Sequence, residues 1–209
     1  METPLKYSKY LLLAAGFFAA FSSLPLRADP AADLARAEEI VSGRCFICHG
    51  MEGESASPVF PRLAGQHSEY IAKQLADFKA GRRKSDTMLP QAEELTPAEM
   101  KALGKFFEQK QPAARSVRDA DLLAVGRYIF NRGNQYSGLP ACSSCHGEKG
   151  HGTPQLPRLA GQHPLYIADQ LKQFNKRERT NDNAVMHTVA SRLSELEMHA
   201  VAEYIAALD

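Results

Sequence analysis

The sequence is short of several things, and each shortage excludes a class of protein. Neither sign of charge dominates: 25 basic side chains face 24 acidic ones, a formal net charge of +1. That balance removes the electrostatic case for nucleic-acid binding. Long hydrophobic runs are missing too. The longest uncharged apolar stretch near the N-terminus, Tyr10 to Phe21, covers 12 residues, too few to span a bilayer comfortably. Strand-like alternation of apolar and polar residues is absent, and there is no tryptophan. With 44% hydrophobic and 23% charged residues in 209, what remains is a globular chain of one ordinary domain or two small ones.

The N-terminus reads as an export signal. Lys6 and Lys9 precede the apolar run, and small residues follow it up to Ala28. The expected cut lies after Ala28, leaving Asp29 first and a mature net charge of −1. An uncleaved anchor is the alternative. Export leads to an oxidising compartment, where the four cysteines could form two disulfides.

Their spacing gives them another role, because the chain is a duplication. Cys45, Cys48, His49 and Gly50 return as Cys142, Cys145, His146 and Gly147. Pro61-Arg62-Leu63-Ala64-Gly65-Gln66-His67 returns as seven identical residues at Pro157-Arg158-Leu159-Ala160-Gly161-Gln162-His163. Tyr70, Ile71, Ala72, Gln74, Leu75 and Phe78 return at Tyr166, Ile167, Ala168, Gln170, Leu171 and Phe174. Two copies, each long enough for its own core, imply a tandem pair of domains rather than a solenoid. The expected boundaries are residues 1–28 for the signal, 29–111 for domain 1, 112–118 for a linker and 119–209 for domain 2. The formal charge is −2 over residues 29–111 and +1 over residues 112–209.

Each copy reads as helical. Residues 31–41 and 119–130 precede the first cysteine of each copy, and residues 68–80 and 164–175 carry apolar side chains at helical spacing. A last helix begins at a capping box in both, Thr96 with Glu99 and Ser194 with Glu197. Met100 and Met198 then fall at N4, with Leu95 and Leu193 before the caps, which is a hydrophobic staple.

Cys-x-x-Cys-His is the signature of covalent haem attachment. Two thiols three residues apart on a helical turn can add to the two vinyl groups of one haem, and the following imidazole faces the iron. The competing readings are a four-thiolate zinc site or a thiol-exchange motif. The 93 residues between the two pairs disfavour zinc, and the lack of a βαβ setting disfavours exchange. A second axial ligand would separate a carrier from an enzyme, since histidine with methionine closes the iron. Met88 and Met186 are the candidates, expected in loops after the residue 68 and residue 164 helices. His187, next to Met186, is the rival. His67 and His163 read as helix-start residues near the surface.

Taken together, the doubled Cys-x-x-Cys-His and Pro-Arg-Leu-Ala-Gly-Gln motifs closely resemble the cytochrome c4 family of dihaem class I cytochromes, over essentially the whole mature chain. The resemblance implies an all-α fold of two tandem class I cytochrome c domains, each wrapped around one covalently attached haem, with the haem edges close together. By position it implies haem c bound by Cys45 and Cys48 and by Cys142 and Cys145, with His49, Met88, His146 and Met186 as axial iron ligands. It also implies that the carbonyls of Pro61 and Pro157 accept from the ligand histidines. Arg62, Arg158, Gln66 and Gln162 stand as neighbours of the haem propionates or as ordinary surface residues. Ala37 and Gly126, as small residues, would let Phe106 and Tyr204 approach where the terminal helices cross. Residues 131–141 form a loop unique to domain 2.

The implied role is a periplasmic electron carrier, often membrane-associated, with redox-protein donors and a terminal oxidase as acceptor. Two alternatives stay open: an electron-transfer subunit of a dehydrogenase complex, and a dihaem peroxidase. The stretch from Phe78 to Met88 is two residues shorter than that from Phe174 to Met186, which leaves room for two unequal potentials.

Overall fold

The computed structural model describes residues 1–2, 30–112 and 120–209. The signal read over residues 1–28 and the linker read over 112–118 therefore lie outside the described residues, apart from Met1, Glu2 and Pro112. Among the described residues the regular structure is helical, with one isolated antiparallel bridge, Asn134 to Leu139.

Domain 1 runs α1 (Pro30–Ile40), a π-helical turn (Val41–Cys45), α2 (Phe46–His49), α3 (Ser68–Lys79), α4 (Leu89–Ala92) and α5 (Pro97–Glu108). Domain 2 runs α6 (Ala120–Arg132), α7 (Ser143–His146), α8 (Pro164–Asn175), α9 (Val185–Ala190) and α10 (Glu195–Ala207). Each domain has its own apolar cluster. Ile40, Val41, Ile71, Leu95, Leu103 and Phe107 centre the first, and Phe130, Ile167, Leu171, Phe174, Val201 and Ile205 the second.

Both last helices start at full capping boxes. The Thr96 hydroxyl accepts from the Glu99 N–H at 3.2 Å, and the Ser194 hydroxyl from the Glu197 N–H at 3.3 Å. Met100 and Met198 are buried in the two cores, as the staple reading requires.

The first and last helices of each domain pack closely, α1 on α5 and α6 on α10. Gly126 is what allows the second crossing. A Cβ there would run into the Ala200 carbonyl oxygen and lie 2.9 Å from the Tyr204 Cβ. Domain 1 has the fully buried Ala37 in the same role. The loop unique to domain 2 is tied back to α10 by Asn134, whose Nδ2 donates to Glu197 Oε1 at 2.7 Å.

A cofactor site shared by two domains

Both Cys-x-x-Cys-His motifs end in one short helical turn. In domain 1 the π-helical turn widens the end of α1 and delivers Cys45, and α2 then carries Cys48 and His49. In domain 2, α7 follows Cys142 directly and carries Cys145 and His146. Gly50 and Gly147 stop the two turns, each with φ of 78°, a left-handed value that favours glycine.

The chain then loops to the proline of each repeat. Nδ1 of His49 lies 2.9 Å from the Pro61 carbonyl oxygen, and Nδ1 of His146 lies 3.1 Å from that of Pro157. A carbonyl can only accept, so Nδ1 carries the proton in both rings. Nε2 is left with its lone pair, the state needed for a metal ligand. Burial lowers the basicity of both imidazoles, with the proline carbonyls pulling weakly the other way. The expected second bond is thus present in both domains.

One cavity of about 670 Å³ runs through both domains. Cys45, His49 and Met88 line it from domain 1, and Cys142, Cys145, His146 and Met186 from domain 2. Cys48 sits on α2 beside His49 without facing this space. Met88 lies in the turn that leads into α4, at its N-cap, as expected, whereas Met186 falls in the first turn of α9 rather than in a loop. Local bonds explain the turns. The Ser85 hydroxyl accepts from the Met88 N–H at 3.2 Å, and the Asp182 carboxylate from the Met186 N–H at 2.6 Å. The rival His187 does not line the cavity; its Nδ1 is held 2.9 Å from the Phe174 carbonyl.

The thiols do not support the competing readings. Burial pushes the Cys45 thiol up and the Cys142 thiol to about 11, which makes poor thiolates for exchange. Among the described residues, no three His, Cys, Asp or Glu side chains gather as a metal-binding group.

The domain interface supplies the polar edge of the cavity, and here several expectations change. Gln66 and Gln162 are buried in a reciprocal clamp. Gln162 Oε1 accepts from the Arg62 N–H at 2.8 Å while its Nε2 donates to the Arg62 carbonyl at 2.9 Å. Gln66 does the same to the Arg158 backbone, at 2.8 and 2.9 Å. An amide side chain that presents a donor and an acceptor together suits this pairing. His163 is not near the surface: it is fully buried, with Nε2 2.8 Å from the Ser55 carbonyl of domain 1. His67 makes the mirror contact, 2.8 Å from the His151 carbonyl of domain 2.

Deeper in, Arg83 and Arg179 cross the interface in opposite directions, to Tyr166 and Tyr70. Burial pushes the Tyr166 phenol up, but the two guanidiniums outweigh it and hold the phenol below its ordinary range. The sequence reading missed these arginines. They stand 96 residues apart, the spacing that also relates Phe78 to Phe174, so the repeat register extended to them.

Two haem groups fit this space. It offers a neutral histidine nitrogen and a thioether in each half, with the Cys45 thiol in one and the Cys142 and Cys145 thiols in the other. It also holds a guanidinium with an unmet need: Arg158 Nε is buried without a hydrogen-bond partner, on the cavity wall. An anionic carboxylate there would satisfy it, and haem carries propionates.

The similarity to known proteins agrees with the geometry. The cytochrome c family matches residues 34–132 and again 126–209. Cytochrome c4 of Thiocapsa roseopersicina is 40% identical over 191 residues, covering 90% of this chain and 96% of that protein. The chain belongs to the cytochrome c4 family. The crystal structure of reduced recombinant cytochrome c4 from Pseudomonas stutzeri superposes with a TM-score of 0.80 at 33% identity, over 87% of this chain and 100% of the other. The thiosulfate dehydrogenase electron acceptor of Thiomonas intermedia is 34% identical, covering 86% of this chain and 84% of that protein.

As a member of that family, the chain is two tandem class I cytochrome c domains with two covalently bound haem c groups. Cytochromes of this family are electron-transfer proteins and not enzymes, so the peroxidase alternative falls away. Among the described residues no helix is long and apolar enough to cross a membrane.

Proposed function

We propose that this dihaem electron carrier works in the periplasm, exported by residues 1–28, and passes electrons from a redox-protein donor to a terminal oxidase. Cys45 and Cys48 would hold one haem, with His49 and Met88 as its iron ligands. Cys142 and Cys145 would hold the other, with His146 and Met186 as its iron ligands. The observation that carries the ligand set is that, within each half of one cavity, a histidine with Nε2 left free faces the same space as one methionine. Bound there, each haem supplies a one-electron iron centre.

The chain's own residues do the rest. The proline carbonyls fix the imidazole orientation and proton position. Met88 and Met186, as iron ligands, would close the iron against small ligands and raise its potential. The apolar clusters keep water from the site, and the glutamine clamps hold the two halves in register.

A second reading shares every residue role and differs in the donor. Similarity to thiosulfate dehydrogenase electron acceptors supports a place beside a dehydrogenase. Reduction of this chain by thiosulfate only in the presence of such a dehydrogenase would favour it.

Carbon monoxide tests the ligand set. The reduced holoprotein is expected to bind none at neutral pH, with an unchanged optical spectrum. Stoichiometric binding at one haem would remove one methionine from the assignment.

A further inference from the structure

Among the described residues, the crossed arginine pair carries charge that the haem ligand set does not explain. Arg83 of domain 1 donates from Nη2 to Tyr166 Oη and Gln170 Oε1 of domain 2, both at 2.9 Å, and from Nη1 to Gln74 Oε1 at 2.9 Å. Arg179 of domain 2 is its image. It donates from Nη1 to Gln170 Oε1 at 2.7 Å and from Nη2 to Tyr70 Oη at 2.9 Å and Gln74 Oε1 at 3.1 Å. Both guanidiniums therefore share the same two glutamine oxygens, which forces two like charges side by side. Each also stacks on an aromatic ring of its own domain, Arg83 on Phe78 at 4.6 Å and Arg179 on Phe174 at 4.5 Å.

Among the described residues neither arginine has a carboxylate within salt-bridge distance. Arg179 is only 6% exposed. Two adjacent cations resting on neutral acceptors are costly to bury unless an anion joins them. Both arginines line the cavity that receives the haems.

We infer that Arg83 and Arg179 form one positive node common to both haem sites, which raises the two reduction potentials together. Reduction adds an electron, so a nearby fixed cation favours the reduced state of whichever haem it reaches. Each arginine is donated by one domain but bonded in both, so its charge acts on both irons. The inference rests on the reading that both haems occupy the shared cavity.

The test is spectroelectrochemical titration of the holoprotein, with the two haems told apart by the NMR signals of their methyl groups. Arg83→Gln and Arg179→Gln are each expected to move both haems toward the oxidised form. The shift should be about tenfold in the reduction equilibrium, the size of one unit charge across a partly buried site, or about 59 mV for one electron. Arg83→Lys keeps the charge and should restore most of the shift. Gln74→Glu places a carboxylate between the guanidiniums and should lower both potentials with both arginines present, so the inference stays testable if an arginine variant does not fold. A shift confined to the haem of the mutated domain, or no shift with the low-spin spectrum intact, would overturn it. Failure of the ligand assignment would show separately, as carbon monoxide binding by the unsubstituted protein.

Discussion

Between its two thioether cysteines domain 1 carries Phe46 and Ile47, 42% and 74% exposed, where domain 2 carries Ser143 and Ser144. At the interface the contrast is one of charge. Domain 1 offers Lys73 and Asp77 on α3, and the matching positions of α8 hold Asp169 and Gln173. Asp77 is buried and accepts from Lys73 at 2.6 Å, Arg82 at 2.8 Å and Asn181 of domain 2 at 2.7 Å. Gln173 instead donates to Asp169 within its own helix at 2.6 Å. The longer domain 2 loop, with left-handed Arg177, Asn183 and Ala184, is what carries Asn181 across to Asp77. The duplicated chain thus stays the same where the haem sets the requirement. It diverges where the other domain makes contact and where Phe46 and Ile47 stand exposed to solvent.

Several experiments would break or sharpen that contrast. The largest effect is expected at the ligands. Met88→Ala and Met186→Ala should each open one iron, so that the reduced holoprotein binds one carbon monoxide and the double variant binds two. If either single variant binds none, the two halves are not equivalent at their irons.

Next comes the helix crossing. Gly126→Leu forces a side chain into the Ala200 backbone and should cost about 1–3 kcal/mol by overpacking, read from denaturant unfolding. Ala37→Gly in domain 1 should cost only about 1 kcal/mol, the helix penalty of glycine.

The interface asymmetry is smaller again. Asp77→Asn should lose about 1–2 kcal/mol, less than a charge-assisted bond's full range because Lys73 and Arg82 are half in solvent. Hydrogen exchange over residues 176–184 should rise with it. Gln173→Ala should leave that segment unchanged.

The smallest effect separates the two capping boxes by pH. The Thr96 N–H and hydroxyl, with Arg36 behind them, hold the Glu99 carboxyl down from 4.5 to about 2. Burial pushes Glu197 up, but bonds from Ser194 and Asn134 outweigh it and leave it lowered by less. A depressed carboxylate contributes stability that is fully present above its unfolded value and lost as pH falls through its folded value. On acidification below about 4.5, the domain 2 cap should therefore protonate first and the domain 1 cap last, near 2. Carboxyl NMR titration reads the order, and protonation of Glu99 before Glu197 would contradict it.

How much was legible beforehand depends on the range of the interaction. The haem motifs and the capping boxes rest on neighbours in sequence or on a repeat that can be aligned with itself, while the proline carbonyl bonds and the small residues at the helix crossings came from the family resemblance that those motifs carry. His163 was misread because its burial comes from Ser55, which is 108 residues away. The short α4 and α9 were read as loops because four or six residues carry too little periodicity to announce a helix.

The sequence by itself determined the duplication, the two covalent haem attachments, the all-helical class and the candidate ligands, since each is written as local chemistry at fixed spacing. Only the tertiary structure decided which polar residues face each other across the domains. Gln66, Gln162, Tyr70, Tyr166, Arg83 and Arg179 could each pass for surface residues along the chain. A two-fold-like docking of the halves makes them one buried network, because a donor finds its acceptor there only once two separately folded surfaces meet.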